Sequence, residues 1–250
     1  MKAINSLVMA GALLLAHTSI QAQSNDNRAV TSFTKIETGL PLDIVLEKGN
    51  KENVNIQITG TDPQNILTKV EGNTLKVNLE QGNYVNLKGK ITITFVTLSG
   101  ISSAGSGDMT CKSDIDANSF ALSSSGSGGI KVEGKIKTNN FSFQHKGSGD
   151  VSLTSLETTD LTLSMMGSGD FKAEKGTAQK QVIDLMGSGD VEIAGLSGES
   201  CTVAIKGSGD LETNVSNTLQ GNIMGSGNVH YKGDPKKQVE VKGSGTVSKL

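Results

Sequence analysis

The chain has 250 residues, 31 of them glycine and 3 proline, with no tryptophan, 3% aromatic and 35% hydrophobic residues. So much glycine excludes a helical protein, because each glycine inside a helix costs about 1 kcal/mol relative to alanine. A formal charge of -2, with Arg28 the lone arginine, excludes nucleic acid or another polyanion held by bulk attraction, which needs a basic face.

At the start, Met1 and Lys2 precede an apolar run over residues 7–16, and Ser19-Ile20-Gln21-Ala22 leads into the polar Gln23-Ser24-Asn25-Asp26. This pattern predicts a secretory signal peptide over residues 1–22, cut after Ala22. The run is too short for a membrane-spanning helix, which needs about 20 residues, and no second one occurs downstream. The mature chain is expected in the periplasm, on the outer-membrane surface or outside the cell.

Residues 23–100 alternate apolar and polar side chains at 42–46, 54–58, 74–79 and 90–95, each segment reading as a strand. Turn signals at Lys48-Gly49-Asn50, Gly60-Thr61-Asp62-Pro63 and Glu71-Gly72-Asn73 separate them. We assign this region to an N-terminal β cap with the first coils, continuous with residues 101–250.

Residues 101–250 hold a repeat. Gly-Ser-Gly begins at Gly105, Gly126, Gly147, Gly167, Gly187, Gly207, Gly225 and Gly243, at spacings of 21, 21, 20, 20, 20, 18 and 18. Four residues before each first glycine stand Ile101, Leu122, Phe143, Leu163, Ile183, Val203, Gly221 and Val239; two before stand Ser103, Ser124, His145, Met165, Leu185, Ile205, Ile223 and Val241. The intervening position is almost always polar. Four residues after each first glycine come Met109, Ile130, Val151, Phe171, Val191, Leu211, Val229 and Val247, all apolar. Each unit therefore predicts two short strands meeting at a Gly-Ser-Gly corner, with Ile115, Ile136, Leu156 and Leu196 supplying a third wall.

One corner recurring about every 20 residues predicts an all-β fold, a parallel β-helix with about 20 residues per coil. An antiparallel meander or sandwich would instead place turns every 8–12 residues, with no reason for one corner to recur. Stacked corners leave little room for a side chain and often demand φ > 0, which accounts for the glycines. Cys111 and Cys201 lie more than four units apart, a rise near 20 Å that no disulfide spans, so both are expected as small core residues. The last coil carries no evident cap; Lys236, Lys237, Lys242 and Lys249 would discourage strand addition there, and a second copy would equally cover it, which leaves a homo-oligomer open.

Phe33-Thr34-Lys35-Ile36, the strands at 42–44, 54–56 and 75–77, and above all the serial Gly-Ser-Gly-Asp units resemble the auto-transporter adhesin head GIN domain family over nearly all of the mature chain. The resemblance implies an exported, right-handed β-helix of unassigned activity from a Gram-negative envelope. It carries no functional residues with it, and no membrane-spanning β-barrel pattern is present after residue 100.

Asp108, Asp150, Asp170, Asp190 and Asp210 come directly after the corner, with Gly129, Asn228 and Thr246 at the other three places. Carboxylates stacked about 4.8 Å apart repel by about 0.9 kcal/mol even in water, so something must compensate. Hydrogen bonds from corner amides or serine hydroxyls are the expected answer. The sharper alternative is a calcium ladder on Asp150, Asp170, Asp190 and Asp210, although the nine-residue period of calcium-binding β-helices is absent.

Residues 129–135 approach a phosphate loop, but Ile136 stands where a hydroxyl should hold magnesium, and the segment reads as strand. His145 falls in an inward register and His230 in an outward one, so they are not expected to converge. Phe120, Phe141, Phe143, Phe171 and Tyr231 fall in core register, leaving Tyr84 as the aromatic outside it. The sequence points to an exported, cofactor-free, non-enzymatic solenoid with an adhesive or scaffold role at the cell envelope; its partner is left open, an envelope or host glycan or protein being the candidates. A polysaccharide lyase or hydrolase using the Asp stripe is the alternative from another class.

Overall fold

The computed structural model describes residues 23–250; the export segment predicted over residues 1–22 lies outside the described residues. Chain order and stacking order differ at the start. We label the first strands β1 (Ser24–Ala29), β2 (Lys35–Thr38), β3 (Asp43–Lys48), β4 (Asn53–Thr59), β5 (Ile66–Glu71), β6 (Thr74–Leu79), β7 (Lys88–Phe95), β8 (Gly100–Ser103) and β9 (Met109–Cys111). β2 pairs in parallel with both β6 and β8, and β3 with both β7 and β9. The coil made by β2 and β3 is therefore enclosed between two coils that come later in the chain.

Antiparallel strands close this end. β4 runs against β7, β1 runs against β4, and β5 and β6 form a hairpin. In β4 the alternation places Val54, Ile56 and Ile58 in the core and Asn53, Asn55 and Gln57 outside it, as a half-buried pleat requires. Together with Phe33 and Ile66 these side chains cover the first coil.

From β8 onward the coils stack in parallel as a β-solenoid, the architecture that the recurring corner predicts. The residue columns run in register through the stack: Leu75, Ile36, Ile101, Leu122, Phe143, Leu163, Ile183 and Val203 occupy successive layers of one wall. Ile91, Ile44, Met109, Ile130, Val151, Phe171, Val191, Leu211 and Val229 occupy those of a second. In the third wall Gly176 takes the layer between Leu156 and Leu196. The buried apolar residues form a single cluster from Phe33 to Tyr231. Phe143 and Phe171 pack across it with ring centroids 5.0 Å apart.

Glycine is needed at the corners chiefly for proximity. A side-chain carbon on Gly126 would lie 1.8 Å from the Gly105 carbonyl oxygen, and one on Gly167 would lie 1.9 Å from that of Gly147. The expectation that these corners often need φ > 0 is corrected: of the eight leading glycines, only Gly225 (φ 144°) and Gly243 (φ 151°) lie there. The close approach has a purpose, since the corner serine N–H donates to the leading glycine of the coil below. Ser168 reaches Gly147 at 3.2 Å and Ser208 reaches Gly187 at 3.1 Å. Irregular corners thereby keep their backbone groups paired.

The last coil departs from the inward pattern. Val241, in the column of the buried Leu185, Ile205 and Ile223, is 39% exposed, because no further described layer covers it. Lys237 occupies the column of Phe141, Leu161, Cys201 and Leu219, and its ammonium sits 5.2 Å from the centre of the Tyr231 ring. An inward lysine on an edge strand opposes further strand pairing.

Candidate functional site

The eight Gly-Ser-Gly corners share one layout, with Gly129, Asn228 and Thr246 replacing the flanking aspartate in three of them. The serine between the two glycines is exposed in all eight coils. One flank carries the residue before the first glycine, also exposed throughout: Ala104, Ser125, Lys146, Met166, Met186, Lys206, Met224 and Lys242. The other flank carries the aspartates. The result is a ridge of hydroxyls running along the solenoid, bordered by a lysine and methionine column and by a carboxylate column.

The aspartates form a directional hydrogen-bond ladder. Asp150 Oδ1 accepts the Asp170 amide at 2.9 Å, Asp170 that of Asp190 at 2.8 Å, and Asp190 that of Asp210 at 2.8 Å. Asp210 continues it to Asn228 at 2.7 Å, and Asn228 to Thr246 at 3.0 Å. A net contribution on the order of 1 kcal/mol per hydrogen bond is enough to offset the repulsion between neighbours. Asp43, which sequence reading missed because no Gly-Ser-Gly precedes it, starts the column by accepting the Asp108 amide at 3.2 Å. Among the described residues, no group of three or more His, Cys, Asp or Glu side chains is gathered as a metal centre.

The ladder has one gap. Asp108 accepts the Gly129 amide at 2.8 Å, but Gly129 has no side chain with which to receive Asp150. A shallow cavity of about 470 Å³ opens there between Asp108 and Asp150, lined also by Ser127, Lys131 and Ser148. A side-chain carbon on Gly129 would stand 3.3 Å from its nearest neighbour, the Asp150 carbonyl, a tight contact that a shift of a few tenths of an ångström relieves, unlike the overlaps at the Gly-Ser-Gly glycines. Another polar cavity, of about 300 Å³, lies over the turn at Asn118, Asn139 and Thr159, where Asn139 Nδ2 donates to Asn118 Oδ1 at 2.7 Å.

His145 and His230 are on different faces. His145 is 1% exposed and stacked on Phe143, with centroids 5.7 Å apart, and burial holds its pKa below the ordinary value. Neither of its ring nitrogens, nor the hydroxyl of Ser124 one layer below, has a hydrogen-bond partner among the described residues. His230 lies on the outer face, with Nδ1 2.9 Å from Ser248 Oγ. Both cysteines are free and buried in the expected columns, and desolvation pushes their thiols up, Cys111 to about 11 and Cys201 to about 12. Sequence reading missed Gln181, which enters the Cys201 column and is satisfied by Thr213 Oγ1 donating to Oε1 at 2.5 Å. It also missed the exposed methionines, although their fixed place before the corner was available as a signal.

The family model described as "Putative auto-transporter adhesin, head GIN domain" matches residues 32–133 and 120–235. The chain belongs to this family. Its fold is shared with a "putative lipid binding protein" of Parabacteroides distasonis, at 24% identity and TM-score 0.84, covering 91% of this chain and 96% of that one. A "putative adhesin" of Parabacteroides merdae gives 19% identity and TM-score 0.82, with 91% and 96% covered. A "putative adhesin" of Bacteroides fragilis gives 27% identity and TM-score 0.69, with 92% and 97% covered. No curated protein matches the chain.

Proposed function

We propose that this head GIN domain protein is exported and acts without catalysis, as an adhesive or scaffold rod of the cell envelope. The observation that carries this reading is the repeated ridge: an exposed serine in each of the eight Gly-Ser-Gly coils, between a column rich in lysine and methionine and a carboxylate column. A rigid surface repeated coil after coil suits binding in which many weak contacts act together. The aspartates support the same reading, because each Oδ1 from Asp150 to Asp210 is already engaged by a backbone amide.

The test is retention of the purified chain on immobilised envelope and host glycans and proteins, with no new reducing or unsaturated ends in the glycans. Turnover that disappears in Asp170→Asn or Asp190→Asn would replace this reading with that of a polysaccharide lyase or hydrolase. Export is tested separately by sequencing the mature N-terminus, expected at Gln23.

A further inference from the structure

Val77 pairs with Thr38 and Lys90 with Asp43, so residues 78–89 span a corner that the adjoining coil turns with residues 39–42 alone. The extra length forms a loop, and the loop is held in place at both ends. Tyr84 Oη donates to the Glu80 carbonyl at 2.8 Å, and the Tyr84 ring lies over Gly82, where a side-chain carbon would stand 3.1 Å from the ring. At the other end Asn86 adopts φ 58°, the one left-handed non-glycine residue among those described. Its carbonyl packs so closely on Gly60 that a side-chain carbon there would stand 2.6 Å away. Asparagine tolerates this conformation in turns, so Asn86 fixes the path of the loop at little cost.

Between this loop and the next corner lies a cavity of about 570 Å³. Its volume falls within the range of about 300–1,000 Å³ common for small-ligand sites, and it is shallow and open to solvent, as the cavity at Asp108 is. Pro41, Leu79 and Leu87 supply apolar surface, Tyr84 an aromatic face, and Asn83 and Asn86 side-chain amides; no charged side chain lines it. Pro41 occupies the layer position of the corner serine Ser106, so the hydroxyl ridge gives way to apolar surface here.

An aromatic face beside neutral amides matches the two-sided chemistry of a sugar ring, which offers C–H bonds on its faces and hydroxyls at its rim. We propose that this loop binds a neutral hexopyranose, stacked on Tyr84 and hydrogen-bonded through its hydroxyls to Asn83 and Asn86. A ring already oriented by its tether to Glu80 has less freedom to lose on binding. The proposal rests on the adhesive reading and names the ligand class for one site of it.

The experiment is saturation-transfer NMR on the mature chain with millimolar methyl glycosides of glucose, galactose, mannose and N-acetylglucosamine. At least one glycoside is expected to receive saturation at its ring C–H protons. That affinity should fall about tenfold or more in Tyr84→Ala, as expected for loss of an aromatic anchor, and stay within about threefold in Tyr84→Phe, with a cooperative melting transition retained in both. Absence of transfer to every glycoside overturns the proposal, as does transfer that survives Tyr84→Ala. Phosphatidylglycerol vesicles that perturb Tyr84 when no sugar does would overturn it in favour of a lipid surface. If wild type and Tyr84→Ala are retained equally on a glycan-coated surface, this site fails while the adhesive reading stands. If neither is retained, both fail.

Discussion

Asp170 Oδ1 accepts the backbone N–H of Asp190 one coil further on, at 2.8 Å, and the same bond recurs from Asp150 to Asp210. The carboxylate column thus works as a backbone clamp, each side chain closing the turn of the next layer.

Replacing one rung tests this. Asp170→Ala should lower stability by about 1 kcal/mol, the worth of one such hydrogen bond, and Asp170→Asn by less, because an amide oxygen still accepts. Denaturant titration of both variants measures the difference; equal losses would mean that charge, not the hydrogen bond, matters. With the Oδ1 atoms occupied by amides, millimolar calcium or a chelator is expected to leave the melting temperature unmoved, whereas a bound ion must raise it.

Two glycines one coil apart, Gly129 and Gly149, should respond oppositely to substitution. Gly129→Asp supplies the missing rung and removes backbone freedom from the unfolded chain, so stability should rise by about 0.5–1 kcal/mol. In Gly149→Ala the new carbon would stand 2.1 Å from the Gly128 carbonyl oxygen. Such overlap with backbone should cost about 3 kcal/mol or more. Melting temperatures of the two variants on either side of wild type are the expected result.

His145 makes stability depend on pH. Its pKa is lowered in the folded state by burial, so as pH falls below the ordinary value of 6.5 the unfolded chain takes up a proton before the native chain does. Stability attributable to this residue is full above pH 6.5 and declines as pH falls toward the lowered folded value. His145→Met, the residue that fills the same column at Met165, should flatten that part of the profile. An unchanged slope between pH 7 and 5 would assign the dependence to other groups.

The thiols should be inert in the native protein. With Cys111 raised to about 11 and Cys201 to about 12, almost no thiolate exists at pH 8, and both side chains are buried. A thiol reagent at pH 8 is expected to modify neither until denaturant is added, after which two equivalents react. Fast labelling of the native chain would contradict the packing of one of these columns.

Period, corner and columns are legible in the chain alone. Burial in a strand alternates residue by residue, and a repeated backbone constraint repeats its glycines, so the place of Phe143 above Leu122 or of Cys201 beside Val203 is set by local pattern. Relationships set between layers are not. The alternating strands of residues 35–48 do not reveal that later coils enclose them on both sides, because parallel pairing of β2 with β6 and β8 is non-local. The corner glycines look alike in sequence, yet most are needed for the nearness of a carbonyl one layer away, whereas a side-chain carbon on Gly129 would meet its nearest atom, the Asp150 carbonyl, only at 3.3 Å. Aspartate after the corner was legible as a stripe; that each carboxylate points to the next coil's amide, and that the corner loop at 78–89 seats Tyr84 over a cavity, depends on distances that no spacing along the chain encodes.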